Sequence, residues 1–146
     1  MNVRLPETLE WVEHGQQPLR IILDSELKMS FDAKILSLPG GVIIFHASED
    51  EDKKNNLTNI GVEMVSVEAK KGQEFLEYVL GYLAREKETN EVLLETGSNL
   101  SGEMLQAGFI DELIIYLAPS LLGQDAKGLF QLPMIENMSD RFSLNF

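Results

Sequence analysis

A chain of 146 residues with 12 Lys and Arg against 24 Asp and Glu, formal charge −12, lacks the clustered positive charge that nucleic acid or an anionic membrane rewards. The absence of cysteine excludes disulfides, thiolate nucleophiles and cysteine-based zinc sites, and suits a reducing, cytoplasmic setting. No apolar run reaches the length of a membrane span, residues 1–10 lack a signal-peptide pattern, and the size is that of one globular domain.

Residues 1–17 carry turn and short-helix signals around Pro6, Glu10 and Trp11 and do not start a core. Pro18-Leu19-Arg20-Ile21-Ile22-Leu23 is an apolar strand that ends in Asp24-Ser25, residue types that turn a chain, with Arg20 reading as a solvated flank. Residues 31–36 read as a short helix or extended piece, and Pro39-Gly40-Gly41 as a turn. Val42-Ile43-Ile44-Phe45 is the continuous apolar strand of a sheet covered on both faces. His46, at its carboxyl end, reads as an exposed loop histidine, with a ligand contact as the alternative; with His14 its sole companion, no metal site is expected.

The run Glu49-Asp50-Glu51-Asp52-Lys53-Lys54 reads as a solvated loop or loose helix, and Gly61-Val62-Glu63-Met64-Val65 as a third strand near the sheet edge. Residues 70–85 place Phe75, Leu76, Val79, Leu80 and Leu83 at helical spacing, so they predict an amphipathic helix in which Phe75, Tyr78 and Tyr82 serve packing. Residues 92–94 and 112–117 predict a fourth and a fifth strand, the latter stopped by Ala118-Pro119. Residues 122–130 are a glycine-rich loop carrying Lys127, an exposed lysine able to neutralise a phosphate, and the last residues read as a strand just begun. There are no repeats or linkers. Strands alternating with helices predict one α/β domain, its sheet mostly parallel with helices on both faces.

Between the strand at residues 92–94 and a helix opening near Asn99 stands Glu95-Thr96-Gly97-Ser98. Ser98 or Asn99 suits the N-cap, Leu100, Met104 and Ala107 share one face, and Gly108 suits a left-handed stop. A glycine turn that opens a helix aims backbone N–H groups and the positive end of the helix dipole at one spot, which favours a phosphate or carboxylate. Glu95, at the strand's carboxyl end, lies where ligands of open α/β sheets collect. Gly97 and Gly102 make neither the dinucleotide fingerprint nor a P-loop, so pattern alone leaves an anion site and a plain strand-to-helix turn both open.

The string Leu94-Glu95-Thr96-Gly97-Ser98-Asn99-Leu100-Ser101-Gly102, followed by Ala107-Gly108, Asp111-Glu112-Leu113, Tyr116-Leu117-Ala118-Pro119 and Leu122-Gly123, resembles the reductase domain of the bifunctional riboflavin-biosynthesis deaminase/reductase. Met1-Asn2-Val3-Arg4 and Pro18 through Ser25 are similar to two further motifs of that family. The resemblance implies a dihydrofolate-reductase-like fold and a phosphoribosylamino-pyrimidine reduced at the first carbon of its sugar by hydride from NADPH. It implies that Met1, Arg4 and Glu95 bind substrate, Arg4 by a charge-assisted pair with its phosphate. It places Ser25, Gly97, Ser98, Asn99, Leu100, Ser101, Gly102 and Glu103 on the cofactor, with Gly97 giving the backbone room and the amides of Asn99 to Ser101 donating.

The sequence departs from the family's usual Glu-Gly-Gly-Pro-Thr-Leu-Ala-Gly at Thr96, Ser98 and Asn99. The zinc-deaminase signature is absent, so no metal and no deaminase domain are expected, and no residue is assigned as a catalytic acid or base. The family's opening strand and helix and its closing strands are missing from residues 1–146, which reads as a domain truncated at both ends, with open sheet edges that favour a homodimer. The alternative is a catalytically inactive nucleotide-binding or interaction module of the same fold.

Overall fold

The computed structural model describes residues 17–69, 71–123 and 125–143. Its contacts divide the chain into two units, Met1–Leu83 and Ala84–Phe146.

The first unit is built on a three-stranded parallel sheet in the order β1-β2-β3: β1 Arg20–Leu23, β2 Val42–His46 and β3 Glu63–Ser66. Short helix α1, Lys34–Ser37, lies between β1 and β2, and α2, Glu51–Asn59, between β2 and β3. Paired on both edges, β2 is buried at all five positions, as its unbroken apolar run requires. Side chains alternate along a strand, so its two faces have separate partners. Val42 and Ile44 join Leu27, Leu57 of α2 and Val62 in one cluster, with Leu36 of α1 against it. Phe45, on the opposite face, meets Tyr82 of α3, Gln73–Glu86, edge to face at 5.4 Å. Helices thus cover both faces. Helix α3 buries Phe75, Leu76, Val79 and Leu83, four of the five apolar positions its spacing predicted, and Tyr82 also donates its hydroxyl to Glu63 Oε1 at 2.8 Å.

The acidic run is an ordered helix, because Asp50 caps α2 by accepting the Lys53 N–H at 2.9 Å. After β1 the Asp24 carboxylate accepts the backbone N–H groups of Lys28 and Met29 at 2.8 and 2.7 Å, and the turn buries Leu27 in a left-handed conformation (φ 51°).

Arg20 corrects the sequence reading: it is buried rather than a solvated flank. Its guanidinium donates to the carbonyls of Ile35, Leu38, Pro39 and Gly40, gathering the end of α1 and the turn into β2 against the start of β1. The carbonyls at a helix C-terminus carry partial negative charge and have no intrahelical donor, so the cation satisfies both deficits. Gly40 completes the clamp with φ 108°, and a Cβ there would stand 2.9 Å from Arg20 Nη2.

The second unit holds α4, Ser98–Gln106, and a single 3-10 turn, Met138–Asp140. Residues 92–94 and 112–117 are not strands here, which corrects both expectations. Leu93, Ile114, Tyr116 and Leu117 are mostly exposed, and no ladder pairs either segment among the described residues. Apolar β-formers become a strand only where a neighbouring backbone completes their hydrogen bonds. The reading of a terminal strand falls largely on residues 144–146, outside the described residues.

Replacing Arg20 with Met leaves its carbonyl partners without donors and is expected to cost about 3 kcal/mol, while Gly40→Ala costs about 2 kcal/mol through left-handed strain and contact with the guanidinium. Urea unfolding midpoints check both. Wild-type midpoints in either variant would refute the clamp.

Candidate functional site

The turn and helix at residues 95–108 carry the candidate site. Helix α4 begins one residue earlier than its sequence suggests: Gly97 is the N-cap, with extended backbone (φ −80°, ψ 171°) and no side-chain cap, so neither Ser98 nor Asn99 caps the helix. The N–H of Ser101 donates to the Gly97 carbonyl at 3.1 Å. The amide groups without an intrahelical acceptor are therefore those of Ser98, Asn99 and Leu100, rather than the set ending at Ser101. At the other end, Gly108 N–H donates to Leu105 O at 3.1 Å and Phe109 N–H to Met104 O at 3.0 Å, with Gly108 at φ 71°. This paired closure is the predicted left-handed stop.

The two glycines of the motif differ in surroundings. A Cβ on Gly102 would stand 2.1 Å from the Gln131 carbonyl oxygen, and Gln131 N–H donates to Ser98 O at 2.8 Å. Gly102 is thus buried beneath a second stretch of backbone and serves packing. A Cβ on Gly97 would meet nothing within 4 Å, and its φ is one that any residue adopts. Nothing in the fold itself demands glycine there. Thr96 Oγ1 and Ser101 Oγ lie 2.9 Å apart across this turn, and Glu95, just before it, is exposed.

Glu95, Gly97, Ser98, Asn99, Leu100, Ser101, Gly102 and Glu103 are thus brought together on one turn and one helix. Ser25 lies in the first unit, where its carbonyl accepts the Ala47 N–H at 2.9 Å. Met1 and Arg4 fall outside the described residues. Lys127 is exposed. A shallow groove of about 380 Å³ lined by Ser66, Val67, Glu68, Ala69, Glu74 and Tyr78 has two carboxylates and no basic side chain in its lining, which suits no phosphate. Among the described residues no group of three or more His, Cys, Asp or Glu could hold a metal ion.

His46 is the second correction, because it is 1% exposed rather than a loop residue. It closes the central strand on the α2 side, and its Nδ1 is buried with no hydrogen-bond partner among the described residues. Burial, reinforced by Lys54, pushes the imidazole below its ordinary value, against the backbone at Ser48 and the carboxylates of Glu51 and Asp24.

The neutral ring is favoured by the fold, so its contribution is complete above the unfolded value of about 6.5 and is lost as pH falls below it. Urea midpoints recorded from pH 7.5 to 5 are expected to decline more steeply for wild type than for His46→Gln; parallel curves would refute the assignment. Gly102→Ala is expected to lower stability by about 2 kcal/mol and to release the Gln131 amide to hydrogen exchange, an overpacking effect that a helix-favouring residue would not otherwise produce.

The family model of the RibD C-terminal domain matches residues 2–145. The chain is 34% identical to the riboflavin biosynthesis protein RibD of Escherichia coli (strain K12), over 90% of this chain and 34% of that protein. It is 36% identical to the riboflavin biosynthesis protein RibD of Haemophilus influenzae, over 96% of this chain and 37% of that protein. The 5-amino-6-(5-phosphoribosylamino)uracil reductase of Buchnera aphidicola subsp. Acyrthosiphon pisum is 33% identical, over 78% of this chain and 53% of that protein. The structure of Acinetobacter baumannii RibD, form 1, superposes with a TM-score of 0.80 at 32% identity, covering 97% of this chain and 36% of that one. The chain spans about a third of the length of these RibD relatives. With its parallel α/β architecture and a family match over nearly every residue, the chain belongs to the RibD C-terminal domain family.

Proposed function

We propose that this chain is the reductase part of a riboflavin-biosynthesis enzyme, which reduces 5-amino-6-(5-phosphoribosylamino)uracil to the ribitylamino compound at the expense of NADPH. The names of its relatives support the substrate class, and the geometry of one turn supports the cofactor. The observation that carries the reading is Gly97: a glycine that neither backbone conformation nor packing requires, at the open N-terminus of α4 and two residues after an exposed carboxylate. A position without a side chain, where an added Cβ would meet nothing within 4 Å among the described residues beyond the adjoining chain, leaves room for a ligand to approach the backbone.

The residues present fit an anionic cofactor. Ser98, Asn99 and Leu100 offer uncommitted amides at the positive end of a nine-residue helix, which can hold a phosphate in a chain whose charge of −12 gives no long-range help. Bound there, a nicotinamide cofactor supplies hydride. The chain's own work is to bind and orient: Gly97, Ser98, Asn99, Leu100, Ser101, Gly102 and Glu103 on the cofactor side, with Ser25 as a further contact. Glu95 accepts hydrogen bonds from substrate hydroxyl or amine groups, and Met1 and Arg4 complete the substrate side. We read the enzyme as a cytoplasmic homodimer in which residues 1–146 supply the reductase domain.

Calorimetric titration with NADPH, with NADH as the control, tests this. Wild type is expected to bind NADPH saturably. Gly97→Val, whose Cβ meets nothing within 4 Å beyond the adjoining chain and whose backbone stays allowed, is expected to remain folded and lose at least about tenfold in affinity by filling the ligand's space. In a version competent for turnover, Glu95→Gln is expected to raise the KM for the pyrimidine while leaving NADPH affinity near wild type. A folded wild type that binds no dinucleotide, or a Gly97→Val variant that binds as well as wild type, would overturn the site.

A further inference from the structure

Two side chains meet across the turn that opens α4: the hydroxyl oxygens of Thr96 and Ser101 are 2.9 Å apart. The first helical position is Ser98, so no proline ring fixes φ at the helix start. Its N-cap is Gly97, which offers no side-chain cap and has the most conformational freedom of any residue.

The hydroxyl pair braces this turn. Threonine is branched at Cβ and restricted at χ1, so it presents its hydroxyl in a defined direction. Thr96 Oγ1 reaches across Gly97 to Ser101, and it also donates to the Gly97 carbonyl at 3.3 Å. That carbonyl accepts the Ser101 N–H as well, at 3.1 Å. Thr96 and Ser101 therefore hold Gly97 from both sides and close the first turn of α4 upon itself. Alanine at residue 96 would leave the glycine held by the backbone bond alone, and alanine at residue 101 would leave the Thr96 hydroxyl without its partner across the turn.

We propose that Thr96 and Ser101 are positioning residues whose hydroxyl bridge fixes the turn so that the amides of Ser98, Asn99 and Leu100 converge on an anionic group of the cofactor. The proposal rests on the cofactor reading above and adds what keeps that site formed. Thr96 is exposed and Ser101 only half-buried, so their hydroxyls can be removed without taking apolar contacts from the core. The bridge acts on the turn rather than on global stability.

The test uses Thr96→Val, Ser101→Ala and the double variant in the 146-residue chain, with Thr96→Ser as the variant that keeps the hydroxyl. Hydrogen exchange of the Ser101 amide is followed without ligand, and NADPH affinity by calorimetry. Each hydroxyl deletion is expected to speed exchange about three- to tenfold and raise the Kd for NADPH by a similar factor, with no further change in the double variant and Tm held within about two degrees. Thr96→Ser should stay near wild type. Unchanged exchange in the single variants, or effects that simply add in the double variant, overturns the bridge. Faster exchange with unchanged Kd overturns the positioning role while the cofactor reading stands. A folded wild type that binds no NADPH overturns the cofactor reading and the positioning role with it, and the exchange measurement still reports separately whether the bridge exists.

Discussion

The first unit depends on a strand that has no free side. β2 is hydrogen-bonded along both edges and packed on both faces, so every residue in it must satisfy itself without water. Four of its five side chains are apolar and need only shape. The demand for burial falls hardest on what lies at its two ends. At the entry, the Arg20 guanidinium supplies donors to carbonyls that the turn into β2 leaves over. At the exit, His46 is carried inward by the strand's own alternation, onto the face that Val42 and Ile44 share with Leu57.

Those two residues also mark where reading the sequence stops. The strand, the α3 face, the Asp24 turn and the Gly108 stop were legible because each is written in local periodicity or in one residue's backbone preference. Burial of a polar side chain is not local. Arg20 precedes an apolar run, as flanking charges do, and only the return of the chain through Ile35 to Gly40 turns it into an interior cation. His46 follows an apolar run, as loop residues do, and only the folded chain around the strand's end excludes water from it. Residues 92–94 and 112–117 show the converse: strand composition was legible, whereas the ladder partner that converts composition into a strand is a property of the fold.

The candidate site was legible as a motif and illegible in its division of labour. Gly97 and Gly102 look alike in a row of letters, yet one faces open space and the other lies under the backbone of Gln131. The helix start shifts by one residue for a related reason. Polar side chains at residues 98 and 99 suggest a cap, but Gly97 already has the extended backbone that an N-cap needs, and the hydroxyls nearby are turned to each other. In an acidic chain this matters electrostatically, since uncapped amides provide a fixed local positive field that does not compete with any side chain for its own ligand.

The contact between Gly102 and Gln131 also bears on how the second unit can vary in length. The chain leaves α4 through a doubly bonded glycine stop and returns to α4 at Gln131, which is bonded to the first residue of that same helix. The described residues between 110 and 130 belong to an excursion whose two ends are moored to one rigid element. The entropic cost of lengthening such a loop grows only logarithmically, and insertions within it have no lever on the turn at its base. The excursion is therefore the region where homologous chains can gain or lose residues, or where a foreign peptide can be grafted, with the Gly97 turn kept in register by its moorings.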